Sequence, residues 1–277
     1  MKARTVGALG ILTLALSACD SDLPPYHRLD RLRILAIAAD PPWAGPGDTV
    51  EISALVSAPG PAPVELRWRW CPVDVGAASK EACPEPLSAP WPASDLGAEM
   101  QALLTLPGRA HIEARCTAVP DGCPDGQLVV FVQLEAMTPN DRLVGVREVV
   151  VDLEGRSHAN PEIEDVEARG GTRAPVPLDS QAITTVPSGE LELALWPSPE
   201  SAEPADGGTE PLTVSWFVDA GELEVNRSRP ATLQDPATNL WSLDPPGPEG
   251  PAATLRTVIR DHRGGTAWAS FRVEVAP

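Results

Sequence analysis

The chain has 277 residues and carries 39 acidic against 21 basic side chains, a formal net charge of -18. That balance argues against nucleic acid, which demands a basic footprint, and against charge-driven binding to anionic lipid. Hydrophobic residues make up 43%, too many for a disordered tail, while 32 prolines and 22 glycines are too many for a helical protein. The length allows one or two domains.

At the N-terminus Lys2 and Arg4 precede an apolar run from Val6 to Leu16, followed by Ser17-Ala18-Cys19. Such a run is about half the length of a membrane-spanning helix, so it reads as a secretion signal. Leu16-Ser17-Ala18-Cys19 resembles the lipobox of bacterial lipoproteins. The resemblance implies that residues 1–18 are removed, that Cys19 receives a thioether-linked diacylglycerol, and that its new amino group is acylated. Each buried CH₂ contributes about 0.8 kcal/mol, so two or more chains hold firmly. The other reading is an ordinary cleaved signal with a coincidental cysteine. Asp20 resembles an inner-membrane retention residue of enteric lipoproteins, and both membranes stay open as destinations. The expected location is the bacterial cell envelope, facing the periplasm or the cell surface, with residues 19–30 as a polar tether.

Four further cysteines, Cys71, Cys83, Cys116 and Cys123, form an even set in an exported chain and read as two disulfides. Three pairings are open, and the short loops favour Cys71–Cys83 with Cys116–Cys123. A Cys₄ zinc site is disfavoured because close pairs of about two to four intervening residues are missing.

Proline-free segments carry a two-residue apolar period, which predicts strands with one buried face. Leu32 to Ala39 opens the series. Val50, Ile52, Ala54 and Val56 follow the turn Pro46-Gly47-Asp48, and Val64, Leu66, Trp68 and Trp70 share the next face. Leu128 to Leu134 and Leu143 to Val151 complete a first half, 31–153. After a polar hinge at 154–160, a second half, 161–277, contributes Glu162 to Arg169, Leu191 to Leu195, Leu212 to Val218, Ala253 to Arg260 and Thr266 to Val275. No later segment sustains a helical period, so the expected fold is all-β.

The halves also repeat. Gly47-Asp-Thr-Val-Glu-Ile-Ser-Ala-Leu55 matches Gly189-Glu-Leu-Glu-Leu-Ala-Leu195, and Pro63-Val-Glu-Leu-Arg-Trp68 matches Pro211-Leu-Thr-Val-Ser-Trp216. Two matches in the same order predict a duplicated sandwich with a longer loop in the second copy. A tryptophan on the third strand resembles the buried strand-C tryptophan of immunoglobulin-like sandwiches. The second half, with its acidic loop, Trp216 and Asp261-His-Arg-Gly264-Gly265, resembles the polycystic-kidney-disease (PKD) and cadherin-like modules of bacterial surface proteins. The resemblance implies two tandem immunoglobulin-like β-sandwiches, and that a D-x-x-G-G turn joins the last two strands.

Catalytic patterns are wanting. His27, His111, His158 and His262 are scattered; His111-Ile-Glu-Ala-Arg lacks the second histidine of a zinc protease, and neither a G-x-S-x-G elbow nor a phosphate loop occurs. Lys80 reads as solvated, and an enzyme is not expected. Carboxylates at Glu200, Glu203, Asp206, Glu210 and Asp261 suggest Ca²⁺, with Glu203, Asp206 and Asp261 as the candidate ligands, although the tight D-x-D-x-D spacing is missing. No other cofactor is implied. Trp43, Trp91 and Trp268 sit in proline-flanked loops or on a polar strand face, where rings stack on sugars or partners, or fold back as covers. Arg67-Trp68-Arg69-Trp70 puts rings inward and guanidiniums outward. The expected role is non-catalytic: a membrane-anchored protein displaying sandwich loops to an envelope protein, glycan or surface. The alternatives are a carbohydrate-binding module and a structural spacer.

Overall fold

Period-two burial organises both halves of the chain. The computed structural model describes residues 25–60, 63–72, 101–118, 123–202, 204–205, 208–244 and 252–276. The first half contains β1 (Arg33–Asp40), β2 (Trp43–Ala44), β3 (Thr49–Ser57), β4 (Glu65–Pro72), β5 (Gln101–Thr105), β6 (Gln127–Met137) and β7 (Arg142–Asp152), with helix α1 (Arg109–Ala118) between β5 and β6. Its two sheets run β1-β3-β5 and β2-β7-β6-β4. They enclose a core that includes Val50, Ile52, Leu104, Val130, Leu134 and Val149.

The second half contains β8 (Ile163–Gly170), β9 (Val176–Pro177), β10 (Ile183–Pro187), β11 (Gly189–Pro197), β12 (Pro204–Ala205), β13 (Gly208–Thr209) and β14 (Thr213–Val218). It continues with β15 (Glu222–Leu223), β16 (Arg227–Ser228), β17 (Ala237–Leu243), β18 (Ala252–Arg260) and β19 (Thr266–Ala276). The sheets here run β15-β17-β11-β8-β9 and β10-β19-β18-β14-β16, and β12 pairs with β13 as a separate ribbon. Leu191, Leu193, Leu195, Trp216, Trp241 and Leu255 lie in this core.

The wiring is the same twice. In one sheet β1, β3 and β5 correspond to β8, β11 and β17; in the other β4, β6 and β7 correspond to β14, β18 and β19. A short strand crosses to run parallel with the last strand in each half, β2 with β7 and β10 with β19. This is an immunoglobulin-like arrangement, and the chain is all-β with two such sandwiches. Trp68 and Trp216 occupy the corresponding strand in each copy and are 5% and 0% exposed.

Besides the two-residue strands, four longer elements escape the sequence reading: α1, β5, β10 and β17. Among the described side chains of α1 (RAHIEARCTA), Ile112 is the one fully buried apolar group, so no helical stripe is visible. Leu103 is 62% exposed and blurs the alternation of Ala102 and Leu104 in β5. In β17 the inward row is Ala237, Asn239, Trp241 and Leu243. Its buried asparagine exchanges hydrogen bonds with the Val225 backbone, donating from Nδ2 at 2.8 Å and accepting at Oδ1 at 3.2 Å. A satisfied amide hides an apolar pattern.

The sandwiches are packed on each other through a third apolar cluster. Leu29, Leu35, Ala36 and Leu55 from the first half and its tether meet Phe217 and Val258 of the second, with Trp268 against them. For this reason β1 and β14 are buried on both faces and do not alternate. Around the cluster, Arg260 Nη2 donates to the Leu35 carbonyl at 2.6 Å and Arg256 Nη1 to the Val56 carbonyl at 3.3 Å.

The tether is also docked where the structure describes it. Leu29 N donates to the Val218 carbonyl at 2.9 Å and Val218 N to the His27 carbonyl at 2.9 Å, which adds a parallel bridge to the end of β14. Arg28 and His27 both reach Glu222, and the Tyr26 ring lies 5.5 Å from that of Phe217.

Candidate functional site

The seam between the sandwiches holds a buried polar cluster, and the local sequence explains its shape. β18 and β19 are joined by Asp261-His262-Arg263-Gly264-Gly265. Asp261 Oδ1 accepts the backbone amides of Arg263 at 2.9 Å and Gly265 at 2.6 Å, closing the turn on its own carboxylate. Gly264 has φ +102, a conformation that side-chain-bearing residues rarely adopt. The expected D-x-x-G-G turn is therefore a structural fact of the second sandwich.

Oδ2 of the same aspartate faces His158 Nε2 at 2.9 Å, and both side chains are buried. Glu210 is buried beside them, its Oε1 accepting the His262 amide at 3.1 Å, with Arg263 Nε 3.8 Å away. Its Oε2 is buried and has no hydrogen-bond partner. One ligand atom from each of His158, Glu210 and Asp261 lies within 4.8 Å of the others. Trp43 closes the group from the first sandwich: its Nε1 donates to the Arg263 carbonyl at 2.9 Å and its ring centre is 5.7 Å from that of His158. Arg147 reaches in from β7, with Nη1 donating to Thr266 Oγ1 at 3.3 Å.

Electrostatics follow from this burial. Burial pushes the Glu210 carboxyl above its ordinary value, and the neighbouring Asp261 charge pushes it further. Burial would raise Asp261 too, but the hydrogen bond and charge of His158, with the Gly265 and Arg263 amides, outweigh it and hold that carboxyl low. Burial lowers the Arg147 guanidinium to about 10, although Asp261 draws it back up.

The linker is part of the same construction. Asp152 is buried and accepts from Glu154 N at 2.9 Å, Arg156 N at 3.0 Å and Arg156 Nε at 2.9 Å. Asn160 Nδ2 donates to the Ala39 carbonyl at 2.8 Å while its Oδ1 accepts Thr266 N at 2.9 Å, touching both sandwiches. The stretch expected as a polar hinge is thus tied to both sides.

Candidate residues fall out as follows. Trp43 and Trp268 turn into the seam rather than out to solvent, because strand faces that look polar in one sandwich are covered by the other. Asp261 joins His158 and Glu210. Glu203, Asp206, Trp91, Cys19 and Cys83, and the side chain of Cys71, lie outside the described residues. The disulfide Cys116–Cys123 is formed and links the end of α1 to the start of β6. His158 was not visible as a site residue, since 103 residues separate it from Asp261 and no motif joins them.

No protein-family model and no curated protein matches the chain. Among solved structures, the D0-D1 domains of intimin align over 86% of this chain and 98% of that one, at 14% identity and a TM-score of 0.23. The D00-D0 domains of intimin align over 88% and 98%, at 11% identity and a TM-score of 0.25. The three N-terminal domains of the outer capsid protein Hoc of bacteriophage RB49 align over 88% of this chain and 59% of that one, at 12% identity and a TM-score of 0.22. At such scores the fold assignment rests on strand order and register, not on these neighbours.

Proposed function

We propose that this is a non-catalytic, lipid-anchored protein of the bacterial envelope that presents its two joined sandwiches to another envelope protein. The leader ending in Leu16-Ser17-Ala18-Cys19 supports the anchor. The observation that carries the contact role is the edge of the first sandwich. Among the described residues, β7 pairs with β6 along its length and with β2 only at Val150 and Val151. Leu143, Val144 and Val146 on that open stretch are 37%, 41% and 43% exposed. An unpaired apolar edge strand supports recognition by strand addition, in which backbone amides and carbonyls of a partner complete the sheet. A sugar-binding reading loses two of its three tryptophans to the seam.

Two measurements test this. Radiolabelled palmitate is expected on the cell-made protein and absent from Cys19→Ala. Crosslinking in envelope extracts is expected to yield a discrete adduct that disappears in a Val144→Lys, Val146→Lys variant of unchanged melting temperature. An adduct insensitive to that double change sinks the edge-strand role.

A further inference from the structure

We infer that His158, Glu210 and Asp261 form a binding site for a single Zn²⁺-class ion that fastens the linker to the second sandwich. This rests on the seam alone and is independent of what β7 contacts. The three side chains come from three separate places in the chain: the linker, the segment before β14 and the turn after β18. Each is buried, and their ligand atoms already lie within 4.8 Å of one another. Metal–ligand bonds of about 2.0–2.2 Å to nitrogen and carboxylate oxygen fit a group of this spread with small adjustments.

Orientation supports the assignment more than proximity does. In both carboxylates one oxygen is held by backbone amides: Oδ1 of Asp261 by Arg263 and Gly265, and Oε1 of Glu210 by His262. The remaining oxygens are left for the cluster. Oδ2 of Asp261 faces the imidazole, and Oε2 of Glu210 is buried with no protein partner, a costly condition for a carboxylate. A dication satisfies that oxygen and offsets the repulsion between two neighbouring buried carboxylates. Amides behind each ligand are the outer support that metal sites use to fix their ligands. Glu210 also lines a cleft of about 350 Å³ beside Leu212, Arg229 and Leu233.

One imidazole with two carboxylates selects a borderline ion over Ca²⁺, which takes six to eight oxygens. The rival occupant of the charge is a proton on His158, with Arg147 and Arg263 balancing the carboxylates, and the experiment separates the two.

Full-length protein, stripped with EDTA and free of any histidine tag, is titrated with ZnCl₂ by calorimetry and followed by thermal melting. One equivalent of Zn²⁺ is expected to bind and raise the melting temperature by several degrees. Glu210→Gln, which keeps the side-chain shape and the acceptor for His262, is expected to weaken binding at least tenfold while its metal-free melting temperature stays at or above that of the parent. His158→Asn is expected to lose binding as well. No heat and no melting shift in the parent protein overturns the site, whatever the variants do. Binding undiminished in both variants, or a response to CaCl₂ with none to ZnCl₂, overturns it equally.

Discussion

A methyl group at position 265 would stand 2.0 Å from Oδ2 of Asp261 and 2.8 Å from Cδ of Pro161. Neither neighbour is free to retreat, since the aspartate closes its own turn and faces His158. Gly265→Ala is therefore expected to destabilise the protein by about 3 kcal/mol or more, read by chemical denaturation, as a change that breaks a buried polar network. The two carboxylates of the cluster respond to pH with opposite signs. Asp261 ionises more readily in the folded state, so its stabilisation is full above its ordinary 3.8 and lost as pH falls through the folded value. Glu210 holds its proton longer when folded, so its contribution declines as pH rises from its ordinary 4.5 through the raised value. In metal-free protein Glu210→Gln is expected to match the parent at acid pH and exceed it near neutrality, whereas Asp261→Asn loses stability near neutrality. Parallel denaturation curves of the three proteins across pH check both signs. At this scale the sequence carried part of the site. Asp261 and the two glycines announce a turn, because turn chemistry is local, but a histidine partner 103 residues away leaves no local trace.

Elements whose apolar residues keep a strict period were legible, and those whose inward rows include a polar or small residue were not. β11 buries Leu191, Leu193 and Leu195 in alternation and reads from the chain as Leu191 to Leu195, inside its observed span Gly189–Pro197. β17 could not be read, because Asn239 stands in the inward row, its amide satisfied by the backbone of Val225 and Leu240. Helix α1 owes little to its own sequence. It is an exposed turn of chain held by Ile112 and by the Cys116–Cys123 bond, with Arg109 Nη2 donating to the Leu153 carbonyl at 3.0 Å. Short apolar-poor helices are marginal in isolation, so the tie matters. Replacing Cys116 and Cys123 together by alanine is expected to cost about 2 kcal/mol, the chain-entropy value for so short a loop. Circular dichroism and amide exchange should show the loss confined to residues around 109–126, with the sandwich strands still protected.

At the scale of the whole chain, two sandwiches that look independent in sequence keep separate cores but share a third buried apolar cluster. The signal was present in β1, where Leu35-Ala36-Ile37-Ala38-Ala39 is apolar without interruption, and in Trp216-Phe217-Val218. Runs of this kind mark strands covered on both faces. A period-two template assigns such segments to strands but says nothing of the second cover. Phe217 is fully buried in that shared cluster. Its replacement by alanine is expected to cost about 3–5 kcal/mol. Calorimetry should find one cooperative transition in the parent and two in Phe217→Ala, since the coupling between halves is carried there. Independent melting of the halves in the parent protein would contradict coupling through this cluster. The docked segment from Pro25 to Leu29 has a further implication for standoff from the bilayer. From Cys19 to Pro25 the polypeptide reaches at most about 20 Å even when pulled straight, and it arrives first at Val218, in the C-terminal half. A leash this brief, if lipidated, holds the end of β14, in the C-terminal half, within a few tens of ångströms of the headgroups, so the attachment falls where the two sandwiches meet and not at the far end of the N-terminal one.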